Sequence, residues 1–138
     1  MNRVYFTGDN IISFLGFSSS ENFNRLLQGE TGIVKMNNPA LYPEPFVASM
    51  VDHDSVHALL PDTRYTLLEK MLILSVEDAL KQSTVDVRSE KTIIILSTTK
   101  GNINLLDESE AVNFDAGRIY LWKLGEVIAQ YFGNPNKA

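Results

Sequence analysis

Three groups of residues combine side chains and spacings that suit chemistry. His53 and His57 are four apart, a spacing that on a helix puts both imidazoles on one face beside Asp52 and Asp54 and would suit zinc. No third ligand is spaced to join them, so a polar loop with two incidental histidines is the expected reading. Glu69, Glu77 and Asp78 could form an acid/base pair only if buried, and the helical pattern around them assigns them to a polar, solvated face. "LSTTKGNI", residues 96–103, is the best local ligand candidate, because polar groups at the carboxyl end of an apolar strand are where open α/β sheets hold ligands. The same residues could equally do no more than turn the chain and cap the next segment.

Other chemistries are excluded by pattern. Gly8 and Gly16 lie outside the spacing of a dinucleotide-binding G-x-G-x-x-G, and "STTKGNI" has neither the order nor the spacing of a phosphate loop. With no cysteine, the chain has no disulfide, no thiolate metal site and no cysteine nucleophile of its own. Twelve basic against seventeen acidic residues give a net charge of -5, which disfavours nucleic acid as a partner. Trp122, with Tyr120 and Tyr131, is therefore expected in the core rather than as a stacking platform. No apolar run approaches the roughly 18 residues of a membrane span, and the opening "MNRVYFTGD" lacks the apolar core of a secretory signal. A cytoplasmic protein, with neither nucleic acid nor membrane as partner, is the expectation.

Periodicity gives the scaffold on which these residues sit. Residues 4–6 and 11–15 read as a strand bent at Gly8. "FSSSENFNRLLQGETG" reads as a helix capped by a serine, with Glu21 in its first turn, a stripe of Phe23, Leu26 and Leu27, and Gly29 past its end. "TGIVKM" and "FVASMV" read as short strands on either side of the proline-rich loop "NNPALYPEPF". Residues 64–82 carry a broad apolar helical face. Ile93, Ile94, Ile95 and Leu96 are consecutive, the mark of a strand buried on both faces of a parallel sheet. A short helical piece or loop and a last helix over 118–132, stopped by Gly133 and Pro135, complete an α/β pattern. Such a pattern should continue into another strand, so the fold is expected to be cut off at "NPNKA".

"VYFTGDNIISFLG", residues 4–16, resembles the opening strand of the β-ketoacyl synthases, V-V-I-T-G-x-G-x-V-S-P-L-G, at Val4, Thr7, Gly8, Ser13, Leu15 and Gly16. "LLQGETGI", Leu26 to Ile33, resembles that family's L-L-x-G-x-S-G-I, and Asp62-Thr63-Arg64 with the later "EDAL" resembles its D-R-x helix. "IIILSTTKGNI" stands where the family has a strand and a glycine-rich turn. The ordered set covers the whole chain.

The resemblance implies an α/β, thiolase-like fold: a mixed sheet with flanking helices, of which residues 1–138 would be most of the N-terminal half without its last strand. It implies a parent acyltransferase of fatty acid or polyketide synthesis that condenses an acyl thioester with malonyl-carrier protein and loses carbon dioxide. The nucleophilic cysteine would lie beyond Ala138, and His53 and His57 match neither family histidine motif. No metal or dissociable cofactor is implied. Partners would be acyl carrier protein with acyl and malonyl thioesters, in a homodimer or a ketosynthase-like heterodimer. Thr99, Lys100 and Gly101 would form a loop at the acyl pocket, where a cation beside a fatty chain points to a specialised or divergent synthase. The alternatives are a non-catalytic ketosynthase-like partner of the chain-length-factor type and a small α/β binding domain.

Overall fold

The computed structural model describes residues 3–136. Helix α1 (Ser19–Leu27) begins where expected: the Ser18 side chain accepts from the Glu21 amide, and Gly29 beyond its end has φ 78°. Its stripe of Phe23, Leu26 and Leu27 faces outward and stays exposed. Strands β1 (Val34–Met36) and β2 (Phe46–Ala48) pair antiparallel with Lys35 opposite Val47, across the proline-rich loop. Helix α2 (His53–Leu59) replaces the polar loop expected there, because the Asp52 carboxylate caps it by accepting from the Asp54 amide.

Helix α3 (Leu67–Lys81) starts three residues later than its apolar pattern. Asp62 and Arg64 are instead tied into a turn, with the Arg64 amide donating to Asp62 Oδ1 at 2.9 Å, and Thr66 provides the cap. A one-turn 3₁₀ segment (Ile103–Leu106), α4 (Glu108–Ala111) and a second 3₁₀ segment (Ala116–Ile119) lead to α5 (Leu121–Phe132), which ends at Gly133 with φ 66°. The core forms between α3 and α5: Ile73, Leu124, Ile128 and Phe132 are buried together, with Leu68, Leu72 and Val76 packed around them. Trp122 is not in that core; it is exposed and stacked on Tyr120 at 6.1 Å between ring centroids.

The thiolase-like α/β arrangement is absent. The two-stranded β1–β2 ribbon is the sheet the described residues form, and there is no mixed sheet between helical layers. The physical reason lies in Ile93–Leu96. Ile94 and Leu96 pack against the α3–α5 core, whereas Ile93 is 65% and Ile95 80% exposed. A continuous apolar run fits an extended segment lying on helices as well as a central strand, and one face here stays open. Among the described residues no backbone hydrogen bond pairs it with a neighbour. The opening segment likewise forms no strand. Val4 and Phe6 are exposed, and the chain turns at a bridge between Ser13 and Gly16, gripped by Asn22, whose Nδ2 donates to the carbonyls of Ile11, Gly16 and Ser18. Gly8 does bring the chain close to a helix: a Cβ there would lie 2.5 Å from the Ala79 carbonyl oxygen. No described helix is long and apolar enough to cross a membrane.

Candidate functional site

Thr99, Lys100 and Gly101 form a tight turn in front of α5. The Thr98 hydroxyl accepts from the Lys100 and Gly101 amides at 3.3 and 3.1 Å, which bends the chain back on itself. Gly101 closes the turn with φ 55°, and a Cβ there would lie 2.7 Å from Leu121 Cδ2. Backbone and leucine are thus in direct contact, and glycine is the residue that permits it.

Thr99 and Lys100 line a cavity of about 250 Å³ whose walls are Ile103, Leu106, Ile119 and Leu121, with Tyr120 at one side. The walls are almost wholly apolar, and among the described residues Lys100 has no carboxylate within ion-pair distance. An apolar hollow with a lysine in its lining can hold an aliphatic group that carries an anionic end. Of the three predicted residues, Thr99 and Lys100 border the hollow, whereas Gly101 does not line it and instead sits against Leu121, which does.

Behind the turn lies a polar network that sequence reasoning missed. Glu69 was expected on a solvated face and is instead fully buried. Its Oε2 accepts from the Thr66 amide at 2.9 Å and from the Arg118 guanidinium, and its Oε1 accepts from Asn102 Nδ2 at 3.0 Å. The Thr66 hydroxyl donates to Asn102 Oδ1 at 2.7 Å, and Arg118 Nη2 donates to the Arg64 carbonyl at 3.0 Å. Every member is satisfied, so the network fixes the start of α3, the end of the turn and the segment before α5 as one unit. The legible signal was Thr66-x-x-Glu69, the capping box, which ties a glutamate back to the helix start rather than out to water.

Glu77 and Asp78, the other carboxylates of the acid/base reading, are not brought together with Glu69 or with each other. Glu77 accepts from the Tyr131 hydroxyl at 2.6 Å, and Asp78 pairs with Lys81 at 3.2 Å.

His53 and His57 do share one face of α2 and border a second hollow of about 560 Å³, together with Asp107 and Glu110. Lys70, which sequence reasoning also passed over, lies beneath them, 2% exposed, with Nζ 2.9 Å from His57 Nδ1. With Lys70 as a charged donor, Nδ1 is assigned as the acceptor and Nε2 as the nitrogen that carries the ring proton. That tautomer leaves His57 without a free lone pair for a metal, and no group of three or more metal-ligating side chains forms among the described residues.

Comparison with protein-family models, with curated proteins and with solved structures returned no match for this chain.

Proposed function

We propose that this chain serves decarboxylative condensation as a β-ketoacyl synthase-like acyl-binding part. The carrying observation is the apolar hollow bordered by Thr99 and Lys100, which lies at the turn where the resemblance puts the acyl-pocket loop. In the condensation, an acyl group held as a thioester on a cysteine is attacked by the α-carbon of malonyl-carrier protein. The malonyl carboxylate leaves as carbon dioxide and the cysteine thiolate departs. This chain has no cysteine, so its part is to hold the acyl group while the nucleophile comes from elsewhere in the synthase. The reading rests on the turn, the hollow and the order of sequence motifs, and on no sheet architecture. Acyl carrier protein in the cytoplasm is the partner this reading names, with a fatty acid or polyketide chain as cargo.

Lys100 favours the anionic arm of such a ligand, because it lines the hollow and, among the described residues, has no ion-pair partner. The chain's sole tryptophan, Trp122, stacks on Tyr120 of the hollow's lining and serves as the fluorophore for an occupancy titration. Titration with octanoyl-4′-phosphopantetheine should change that fluorescence saturably, and Leu106→Asp should abolish the change. Lys100→Ala should weaken the phosphorylated probe and leave octanoyl-pantetheine unaffected. No saturable change up to about 1 mM probe would overturn the reading. A purified complex with a cysteine-bearing synthase, without saturable binding of either octanoyl probe by this chain, would instead identify a non-catalytic partner subunit.

A further inference from the structure

We infer that the Lys70–His57 contact is an acid-released latch that holds α2 against α3 and keeps the wall of the His53–His57 hollow in place. Lys70 Nζ is 2.9 Å from His57 Nδ1, and a hydrogen bond between two nitrogens at that distance needs one proton and one lone pair. The bonded pair therefore holds a single proton on that axis, whichever nitrogen carries it. A second proton removes the lone pair and sets two cations in contact. The separated pair can hold both protons, so acid favours separation. Lys70 is 2% exposed, and among the described residues no carboxylate lies within ion-pair distance of it. Losing its acceptor leaves a buried charge unpaired unless α2 lifts and admits water. A helix of seven residues does not persist by itself, so α2 depends on this contact and on buried Val56. Because α2 carries His53 and His57 into the wall of the hollow of about 560 Å³, its release dismantles that wall.

The neighbouring charges favour release. Asp107 and Glu110 share the lining of the hollow with His57 and Tyr65, and either carboxylate favours a protonated imidazole. His57 is exposed on that side, so the imidazolium has room to turn toward them. On α2 itself, Asp52 is engaged as the cap, accepting from the Asp54 amide and the Ser55 hydroxyl, and Asp54 adds a further negative charge. His53 is the other titratable group of the α2 wall, and a variant separates its effect from that of His57. Asp62 lies near enough to feel the charge of Lys70 and could replace His57 as its partner. The Arg64 guanidinium, however, bonds to both Asp62 oxygens, at 3.0 and 2.6 Å. That bond lowers the Asp62 carboxyl to about 2, so Asp62 keeps one charge across the range in which imidazoles gain a proton.

Amide hydrogen exchange of the full chain tests the latch. The amides of Val56 and Leu60, which donate to the carbonyls of Asp52 and Val56, report the opening of α2. Their protection factors, corrected for the pH dependence of exchange itself, should fall at least about tenfold from about pH 7.5 to about pH 5.5. That of Asn134, whose amide donates to the Ala129 carbonyl at the end of α5, should stay level. His57→Gln offers Lys70 an acceptor that takes up no proton, so the fall should disappear. Lys70→Met removes the cation and should abolish the fall independently, while His53→Asn should leave it intact. Unchanged protection in the parent chain, a fall that survives His57→Gln or Lys70→Met, or a fall lost in His53→Asn would overturn the inference.

Discussion

The ammonium of Lys70 donates to Nδ1 of His57 across 2.9 Å, joining α3 to α2 through a lysine that is almost wholly enclosed. A buried ammonium left without its acceptor retains the full cost of desolvation. His57→Ala should therefore destabilise the chain by about 1–3 kcal/mol in urea unfolding. Lys70→Met removes both the charge and its need for a partner, so the double variant should be more stable than His57→Ala alone. If Lys70→Met brings no recovery in the His57→Ala background, the pair is not coupled.

Glu69 and Arg118 are held by the same asymmetry. Glu69→Gln keeps the shape but leaves Arg118, with only 16% of its side chain exposed, facing an amide. Breaking one partner of a buried pair costs about 3–5 kcal/mol, whereas replacing both with apolar groups can be nearly neutral. Glu69→Leu with Arg118→Met should accordingly be more stable than either single change. Because Asn102 belongs to the network, the single variants should also raise amide hydrogen exchange through the Thr99–Gly101 turn.

How far the fold was legible in the sequence depends on how local each signal is. Ser18 and Gly29 bound α1, and Gly133 ends α5, because caps and left-handed glycines act within a turn of the residue that carries them. The turn at Thr99–Gly101 was legible for the same reason. Ile93–Leu96 misled because its apolar run is compatible with a sheet and with a bed of helices, and only a distant partner decides between them. Phe23, Leu26, Leu27 and Trp122 misled in the opposite sense: their spacing is that of a core stripe, yet they remain on the surface. Glu69 and Lys70 were missed because helical periodicity treats charge as solvated, whereas here two charges are buried with partners contributed by other segments.

Gly101 is where the backbone of the turn meets Leu121 of the hollow's lining. Gly101→Ala places a Cβ on a left-handed residue and against Leu121 at once, and the first effect alone costs about 1–3 kcal/mol. Adding Leu121→Ala removes the collision but not the backbone strain. The double variant should thus recover part of the thermal stability lost in Gly101→Ala, measured relative to Leu121→Ala alone. Full recovery would mean that the positive φ carries no cost.

Tyr131 supplies a pH dependence with a definite sign. Its hydroxyl donates to Glu77 Oε1 at 2.6 Å, and that bond to a carboxylate, with some burial, pushes its pKa up from 10.0 to about 12. The unfolded chain ionises this tyrosine near 10.0, while the folded chain keeps it neutral until about 12. Its stabilisation is thus complete below pH 10.0, declines as the unfolded state begins to release the proton, and is gone above pH 12. Tyr131→Phe should cost about 1 kcal/mol at neutral pH, since Glu77 can regain water when the bond is lost. The stability difference between the parent chain and Tyr131→Phe cancels the titration of every other group, and it should shrink steadily as pH is raised from 10 to 12. A difference that stays constant across that interval would show that the hydroxyl does not hold its proton through Glu77.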